Sequence, residues 1–269
     1  MGTSGEAFLR DFHALRPAVT SEVMAAGRDA DGRSSYELVR DEVAGAERVL
    51  DLGCGDGHLL DLLAATGRDP KHLAGVDLST ASLAAAARRP ALAHAALTAA
   101  RCQQLPFPDR SFDACVSHLA LMLMDDPEQV VAEVSRVLAP GGRLVCAVGG
   151  GPAGGEAWEV FHRLLDRALG PDRRLPPLGD RRTRDPEGLA AVLRSAGLHP
   201  ADSRQVRIDL SGPVEKVWTA LAGTYDTALL SADELAVLQA DFHLALPLDP
   251  AASVTCAFRV DITTARSAA

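Results

Sequence analysis

One short stretch of the chain combines an apolar strand pattern with three closely spaced glycines and reads Val49-Leu50-Asp51-Leu52-Gly53-Cys54-Gly55-Asp56-Gly57. The apolar run predicts a strand. The alternate glycines predict a turn, because glycine tolerates positive φ and lets a ligand approach the backbone closely. The leucine-rich segment that follows predicts a helix. Nucleotide-type ligands bind at such junctions, since free amide N–H groups point outward from the start of the helix.

Two kinds of strand-glycine-helix junction differ in the spacing of their glycines. The dinucleotide-binding fingerprint GxGxxG, counted from Gly53, requires a glycine at position 58, where this chain has His58. The order here is instead acid-x-Gly-x-Gly-x-Gly, starting at Asp51, and a second apolar segment from Leu73 ends in Asp77. An NAD-dependent oxidoreductase is therefore disfavoured.

At these residues the chain resembles the class I methyltransferases that use S-adenosylmethionine. The resemblance implies that Gly53 and Gly55 back the amino-acid portion of the cofactor and that Asp77 accepts hydrogen bonds from both ribose hydroxyls. The cofactor-binding residues expected from the resemblance are Asp51, Gly53, Gly55, Asp77, Leu78, Cys102, Gln103 and Ser117.

A second segment narrows the resemblance to one branch of that family and reads Gln103-Gln104-Leu105-Pro106-Phe107-Pro108-Asp109-Arg110-Ser111-Phe112-Asp113. It resembles the ubiquinone/menaquinone-biosynthesis methyltransferases and related small-molecule enzymes. The strand predicted next ends at Ser117 and His118, and ligands of open α/β sheets bind outside such carboxyl ends. In that branch an acid just before this segment usually binds the adenine amino group. Here Arg101 precedes Cys102 and Gln103, which leaves the Cys102 amide and the Gln103 side chain as substitutes.

The predicted fold class is α/β, a Rossmann-like seven-stranded and mostly parallel sheet with helices on both faces, plus a helical N-terminal lid and cap insertions. The third strand is expected near Leu97 to Arg101 on topology alone, because the alanines around it are poor strand formers. Later strands are predicted at 143–148, 205–210 and 253–262.

Capping patterns and apolar periodicity place the helices. Ser34 and Ser231 are predicted N-caps, and Asp126 with Pro127 predicts another helix start. The longer predicted helices are 156–169, 213–230 and 231–244. The predicted division is a lid at 1–46, a cofactor-binding core at 47–149, a cap insertion at 150–184, and the rest of the core at 185–269 with a helical insertion at 212–250.

Composition limits the class of protein. The chain has 269 residues, 47% of them hydrophobic, and a formal net charge of −9, which disfavours a nucleic-acid-binding surface. Its five cysteines form no CxxC pair and indicate a reducing compartment, and no Cys/His cluster predicts a metal site. Neither a membrane span nor a signal peptide is indicated, so a cytoplasmic location is expected.

The acceptor side of the site is less defined. Candidates for a catalytic base are His118, His13 and the Tyr225-Asp226 pair; His118 is favoured because it follows the fourth strand and histidine titrates near neutrality. A histidine that only packs and hydrogen-bonds in the wall is equally consistent with this position.

Aromatic residues of the lid and insertions supply a candidate substrate pocket, formed by Tyr36, Trp158, Trp218 and Tyr225. Packing in the core remains the alternative for each. The loop at 171–184 carries five arginines, which predict either a solvated loop or recognition of an acidic substrate or a carrier protein.

The function predicted from these features is methyl transfer from S-adenosylmethionine to an oxygen, nitrogen or carbon nucleophile of a small molecule, with a secondary metabolite as the setting that the branch suggests. Two alternatives stay open: a cofactor-binding cyclase of the same fold without net methyl transfer, and a non-catalytic partner subunit. No nucleic-acid or membrane partner is expected, and a homodimer stays open.

Overall fold

The computed structural model describes residues 3–246 and 252–268. The strands are β1 (Val49–Leu52), β2 (Leu73–Asp77), β3 (Ala96–Ala99), β4 (Phe112–His118), β5 (Leu138–Pro152), β6 (Leu198–Asp209), β7 (Gly212–Pro213), β8 (Ser253–Val254) and β9 (Ala257–Ser267). The α-helices are α1 (Ser4–Leu15), α2 (Val19–Met24), α3 (Ser35–Glu42), α4 (His58–Ala64), α5 (Thr80–Ala86), α6 (Pro127–Val137), α7 (Glu156–Leu169), α8 (Pro186–Ser195), α9 (Val214–Leu221) and α10 (Ala232–Leu244).

Seven strands form one sheet in the order β3-β2-β1-β4-β5-β9-β6. The strands β1 to β5 pair in parallel, whereas β9 runs antiparallel to both β5 and β6. The carboxyl ends of β1, β2 and β4 therefore meet at one edge of the sheet. This topology confirms the predicted Rossmann-like, mostly parallel sheet.

Successive side chains of a strand point to opposite faces of the sheet, so the strands contribute to one apolar cluster on each face. Val49 packs in one cluster with Val39 of α3 and Leu60 of α4. Its neighbour Leu50 lies in a second cluster, with residues of α6 and α8 such as Val131. Helices thus cover both faces, as the fold class requires. A third cluster joins α7, α9 and α10 away from the sheet's centre.

Several element boundaries confirm the sequence reading. The third strand is present at Ala96–Ala99 although alanine is a poor strand former, since pairing with β2 compensates for its low propensity. The side chains of Ser34 and Ser231 both close capping boxes, and α7 has the predicted bounds. Asp126 occupies the N-cap of α6, but its side chain makes no capping hydrogen bond.

The predicted helix at 213–230 is wrong in its extent. Helix α9 ends at Leu221, and a 3-10 turn at Tyr225–Leu229 follows. The break arises because the hydroxyl of Thr224 bonds the carbonyl of Leu221 and that of Thr227 bonds the carbonyl of Ala222, so side chains satisfy the last helical carbonyls.

The last predicted strand, 253–262, is also divided. Ser253–Val254 pairs with β7 in a small separate sheet, and β9 begins at Ala257. Between these two strands, the hydroxyl of Ser211 accepts a hydrogen bond from the backbone amide of Cys256. A side chain thus takes the place of a strand partner at this point. The end of the predicted helical insertion, 247–250, and the first residues of the predicted lid, 1–2, lie outside the described residues.

The lid segment contains a further helix, α2, which lies between Pro17 and Ser34 and which the sequence did not predict. Strand β5 runs on to Pro152, across the predicted boundary at residue 149. Within 3–246 and 252–268, no helix has the length and apolar character needed to cross a bilayer.

Candidate active site

A cavity of about 1000 Å³, its open mouth included, lies at the carboxyl ends of β1, β2 and β4 under helices α1 to α3. The structure brings most of the predicted site residues to its wall, namely His13, Tyr36, Asp51, Gly53, Gly55, Asp77, Leu78, Cys102, Gln103 and His118.

The three glycines after β1 adopt positive φ, each in a different surrounding. A Cβ on Gly53 would lie 2.4 Å from that of Ala120, and one on Gly57 would lie 2.7 Å from Leu92 Cδ1. A Cβ on Gly55 would meet no heavy atom of the described chain within 4 Å. Gly53 and Gly57 are thus required by packing, while Gly55 leaves room for a ligand to approach the backbone.

Two acids end the strands beside this loop. The carboxylate of Asp77 accepts hydrogen bonds from the amides of Gly55 and Ser79, both at 2.8 Å. Burial raises the pKa of Asp77, and the hydrogen bonds from these amides oppose that rise. Asp51 is only 2% exposed, and burial together with the nearby charges of Asp77 and Asp56 raises its pKa well above the ordinary value.

A polar group that the sequence reading missed lies on the same side of the cavity. Asp56 pairs with Arg89 and accepts a 2.9 Å hydrogen bond from the hydroxyl of Ser21 in α2. Arg89 also bonds Asp61 at 3.0 Å. Asp56 stands between two glycines of the motif, and the motif assigns no role to this position. Its partner Ser21 is distant in sequence and gives no local signal.

His118 is buried at the end of β4, and its ring is stacked on Tyr36 with centroids 3.7 Å apart. Its Nε2 lies 2.8 Å from the hydroxyl of Ser35, and its buried Nδ1 has no partner in the described part of the chain. Burial, assisted by the charge of His58, lowers the pKa of His118 to about 3. The ring is therefore neutral near pH 7.

His13 joins the lid to the C-terminal half of the chain. Its Nε2 lies 3.2 Å from the hydroxyl of Tyr225, which the lining of the cavity does not include. Burial lowers the pKa of His13, and the charge of Asp77 partly offsets that shift. Burial raises the pKa of the Tyr225 phenol, so the pair is uncharged near neutrality.

Part of the cavity wall is apolar and includes Leu9 of α1, Leu78 after β2, Ala100 and Cys102 after β3, and Met124. Burial raises the pKa of the Cys102 thiol, which keeps it protonated. The acids Asp51 and Asp56 line the same cavity. The cavity thus offers both apolar and acidic side chains to one ligand.

Four predicted residues do not line this cavity: Tyr225, whose contact with His13 is given above, and Ser117, Trp158 and Trp218. The hydroxyl of Ser117 is buried and bonds the carbonyl of Leu52 and the amide of Leu121, at 3.2 and 3.1 Å. Trp158 and Trp218 belong to the third cluster, where their rings contact other aromatic rings. Both tryptophans are on helices whose apolar faces pack together.

The arginine-rich loop is partly paired within the chain. Arg173 bonds Glu234 at 3.0 Å, Arg182 pairs with Glu128 at 2.6 Å, and Arg184 donates to the carbonyl of Leu178 at 3.1 Å. These contacts hold the loop against α10 and α6 and reduce the positive charge that it presents to a partner.

Comparison with known proteins gives three consistent results. A family model for a methyltransferase domain matches residues 50–146. A demethylmenaquinone methyltransferase of Renibacterium salmoninarum is 31% identical over 184 residues, which are 68% of this chain and 72% of that protein. The chain spans about half the length of several other curated relatives that it matches.

Two solved structures show the same fold. The [4+2]-cyclase SpnF has a TM-score of 0.58 and 22% identity, with 97% of this chain and 95% of that chain covered. The geranyl diphosphate C-methyltransferase of Streptomyces coelicolor A3(2), solved with Mg²⁺, geranyl diphosphate and S-adenosyl-L-homocysteine, has a TM-score of 0.51 and 17% identity, with 86% and 76% covered. At these identities the likeness concerns the fold alone.

Proposed function

Because the chain belongs to the class I methyltransferases that use S-adenosylmethionine, we propose that its cavity joins this cofactor to a small, largely apolar acceptor that is methylated at an oxygen, nitrogen or carbon atom. The observation that carries the proposal is the cavity itself, which both acidic and apolar side chains line and which the lid helices cover. A secondary metabolite fits this description.

The residues present fit the cofactor. The open space at Gly55 admits a ligand against the backbone, and the carboxylate of Asp77 is in position to accept from ribose hydroxyls. An ammonium or sulfonium group beside Asp51 would favour the ionised carboxylate and so oppose the rise of the Asp51 pKa that burial causes. When bound, S-adenosylmethionine supplies an activated methyl group that a nucleophile takes by direct displacement.

The protein's own contribution is positioning. Holding two reactants in the correct orientation accounts for roughly 7 to 11 kcal/mol of a bimolecular barrier. Tyr36 and His118 form a stacked wall that excludes water, and Ser35 fixes the orientation of the imidazole. Ser35 can donate its hydroxyl hydrogen to Nε2 of His118. The ring proton then lies on Nδ1, which can donate a hydrogen bond to the molecule that accepts the methyl group.

The two histidines are suited to different roles. With a pKa of about 3, His118 is a weak base and a poor acceptor of a proton near pH 7, so its role is to position the acceptor molecule. His13 is less perturbed and contacts both the cavity and Tyr225. It is the candidate base for an acceptor that loses a proton on methylation.

The proposal is tested by following the methyl group. The protein is incubated with S-adenosylmethionine labelled in its methyl carbon and with a metabolite extract, and small-molecule products are searched by mass spectrometry. A labelled product in the presence of the wild-type protein supports methyl transfer. Turnover of a metabolite without label would overturn it in favour of a cyclase.

The position of the cofactor is tested separately with the variant Asp77→Asn, which keeps the size of the side chain and removes its charge. Calorimetric titration with S-adenosyl-L-homocysteine should show binding to the wild type and binding at least about tenfold weaker to the variant, the usual loss for one hydrogen bond to a charged group. Equal affinity for both proteins would contradict the cofactor position.

A further inference from the structure

Glu6, in the first turn of α1, is a buried acid of the lid that lines the cavity and is only 3% exposed. One carboxylate oxygen, Oε1, accepts from Nε of Arg101 at 3.0 Å and also from its terminal nitrogen Nη2. The other oxygen, Oε2, is buried and has no hydrogen-bond partner in the described residues. A buried acceptor in the wall of a cavity is a favourable partner for a donor of a bound ligand, because leaving it unpaired costs free energy.

The surroundings of Glu6 suit a flat heterocycle. Leu9 lies on the same face of α1, one turn further along, and lines the cavity, as do Ala100 and Cys102. Arg101, which holds Glu6, stands between these last two residues in sequence, so the ion pair brings Glu6 to the segment after β3. A buried hydrogen-bond acceptor in a wall with apolar side chains suits a planar ring that carries an N–H donor.

The donors of the cofactor can be assigned by their chemistry. The ammonium group would be attracted to Asp51, and the ribose hydroxyls would donate to Asp77, both of which line the cavity. The remaining donor is the 6-amino group of adenine, which belongs to the flat apolar part of the molecule. Gln103, whose amide nitrogen donates to the carbonyl of Asp125 at 2.6 Å, is a weaker candidate for this contact, because a neutral amide oxygen is a weaker acceptor than a carboxylate.

We propose that Glu6 Oε2 accepts a hydrogen bond from the 6-amino group of the adenine, so that the lid and not the sheet edge recognises the base. The inference rests on the proposed cofactor site. Arg101 then acts as the positioning residue that holds the carboxylate in the cavity. This arrangement accounts for an arginine at position 101, where the resembled branch carries an acid.

The test compares two ligands in calorimetric titrations: S-adenosyl-L-homocysteine and its analogue with hydrogen in place of the 6-amino group. Glu6→Gln keeps the size of the side chain, and since Arg101 attracts the amide oxygen, the amide nitrogen replaces Oε2. The dissociation constant for S-adenosyl-L-homocysteine should rise about 10- to 100-fold in the variant. The wild type should prefer the amino-bearing ligand, and the variant should bind both about equally.

The controls separate the outcomes. Asp11→Asn, at an exposed acid of the same helix, should keep the wild-type preference. If Glu6→Gln weakens both ligands by the same factor, or weakens neither, Glu6 does not recognise the amino group and the inference is wrong. Failure of the wild type to bind S-adenosyl-L-homocysteine would instead refute the cofactor site. If thermal unfolding shows that Glu6→Gln is not folded, Glu6→Asp, which withdraws the carboxylate by one methylene, is compared in the same way.

Discussion

At the scale of single residues, the site holds groups whose charge state is set by burial. Asp51 and Asp77 have raised pKa values, whereas those of His13 and His118 are lowered. Each shift disfavours the charged form in the folded chain, and a cationic ligand beside the two acids would favour their ionised forms. The identity of these residues was predictable from the motif and the strand ends. Their protonation was not, since it depends on burial.

Asp51→Asn should stabilise the ligand-free protein at neutral pH. The folded-state pKa of Asp51 lies above its unfolded value, so wild-type stability falls as pH rises through this interval, and asparagine removes the loss. We expect a gain of about 0.5–2 kcal/mol in the free energy of unfolding by urea at pH 7.5, as is common when a functional residue is replaced. The gain should shrink toward zero as pH falls to the unfolded pKa.

The same variant should lose affinity for S-adenosyl-L-homocysteine, because its ammonium group no longer meets a carboxylate. Asp166→Asn, at an exposed acid of α7, should change neither quantity and serves as the control. A stability difference between wild type and Asp51→Asn that does not vary with pH would contradict the assigned cause.

At the scale of elements, local signals located the helices near the site but did not give the end of every helix. Ser34 and Glu37 form the capping box of α3, whose first turn carries Ser35 and Tyr36 into the site. Such a box is visible in sequence because serine and glutamate recur at a fixed spacing. The end of α9 was not predictable in this way, since it depends on hydroxyls of threonines beyond the helix, and threonine is also found within helices.

The two capping boxes found within residues 3–246 and 252–268 provide a matched pair of variants. Ser34→Ala and Ser231→Ala each remove one cap and should each lower the free energy of unfolding by about 0.5–2 kcal/mol. Only Ser34→Ala should also raise the dissociation constant for S-adenosyl-L-homocysteine, by several fold, because it loosens the turn that carries Tyr36. Equal affinity in the two variants would show that α3 does not hold the cofactor side of the cavity.

At the scale of the whole molecule, the lid is held by contacts between residues far apart in the chain. His13 meets Tyr225, Arg16 donates to the carbonyl of Ala222 at 2.8 Å, and Glu6 pairs with Arg101. Periodicity and capping describe only neighbours in sequence. The strand order and the glycine turn were therefore predictable, whereas the position of Glu6 in the cavity was not. The domain boundaries, the homodimer and a carrier-protein contact stay predictions.

The third apolar cluster, which joins α7, α9 and α10, allows a test of whether this part of the chain only supports the fold or also contacts the ligand. The two tryptophans of the chain, Trp158 and Trp218, both lie in that cluster, and Trp218 is only 5% exposed beside Phe242. Saturating S-adenosyl-L-homocysteine should therefore leave the tryptophan emission nearly unchanged, while urea should shift it strongly. Trp218→Phe should lower the free energy of unfolding, through the volume lost in the core, without changing the dissociation constant for the cofactor product. Quenching of the emission by the ligand would mean that the cluster contacts the bound molecule, as the pattern of aromatic residues in the sequence first indicated.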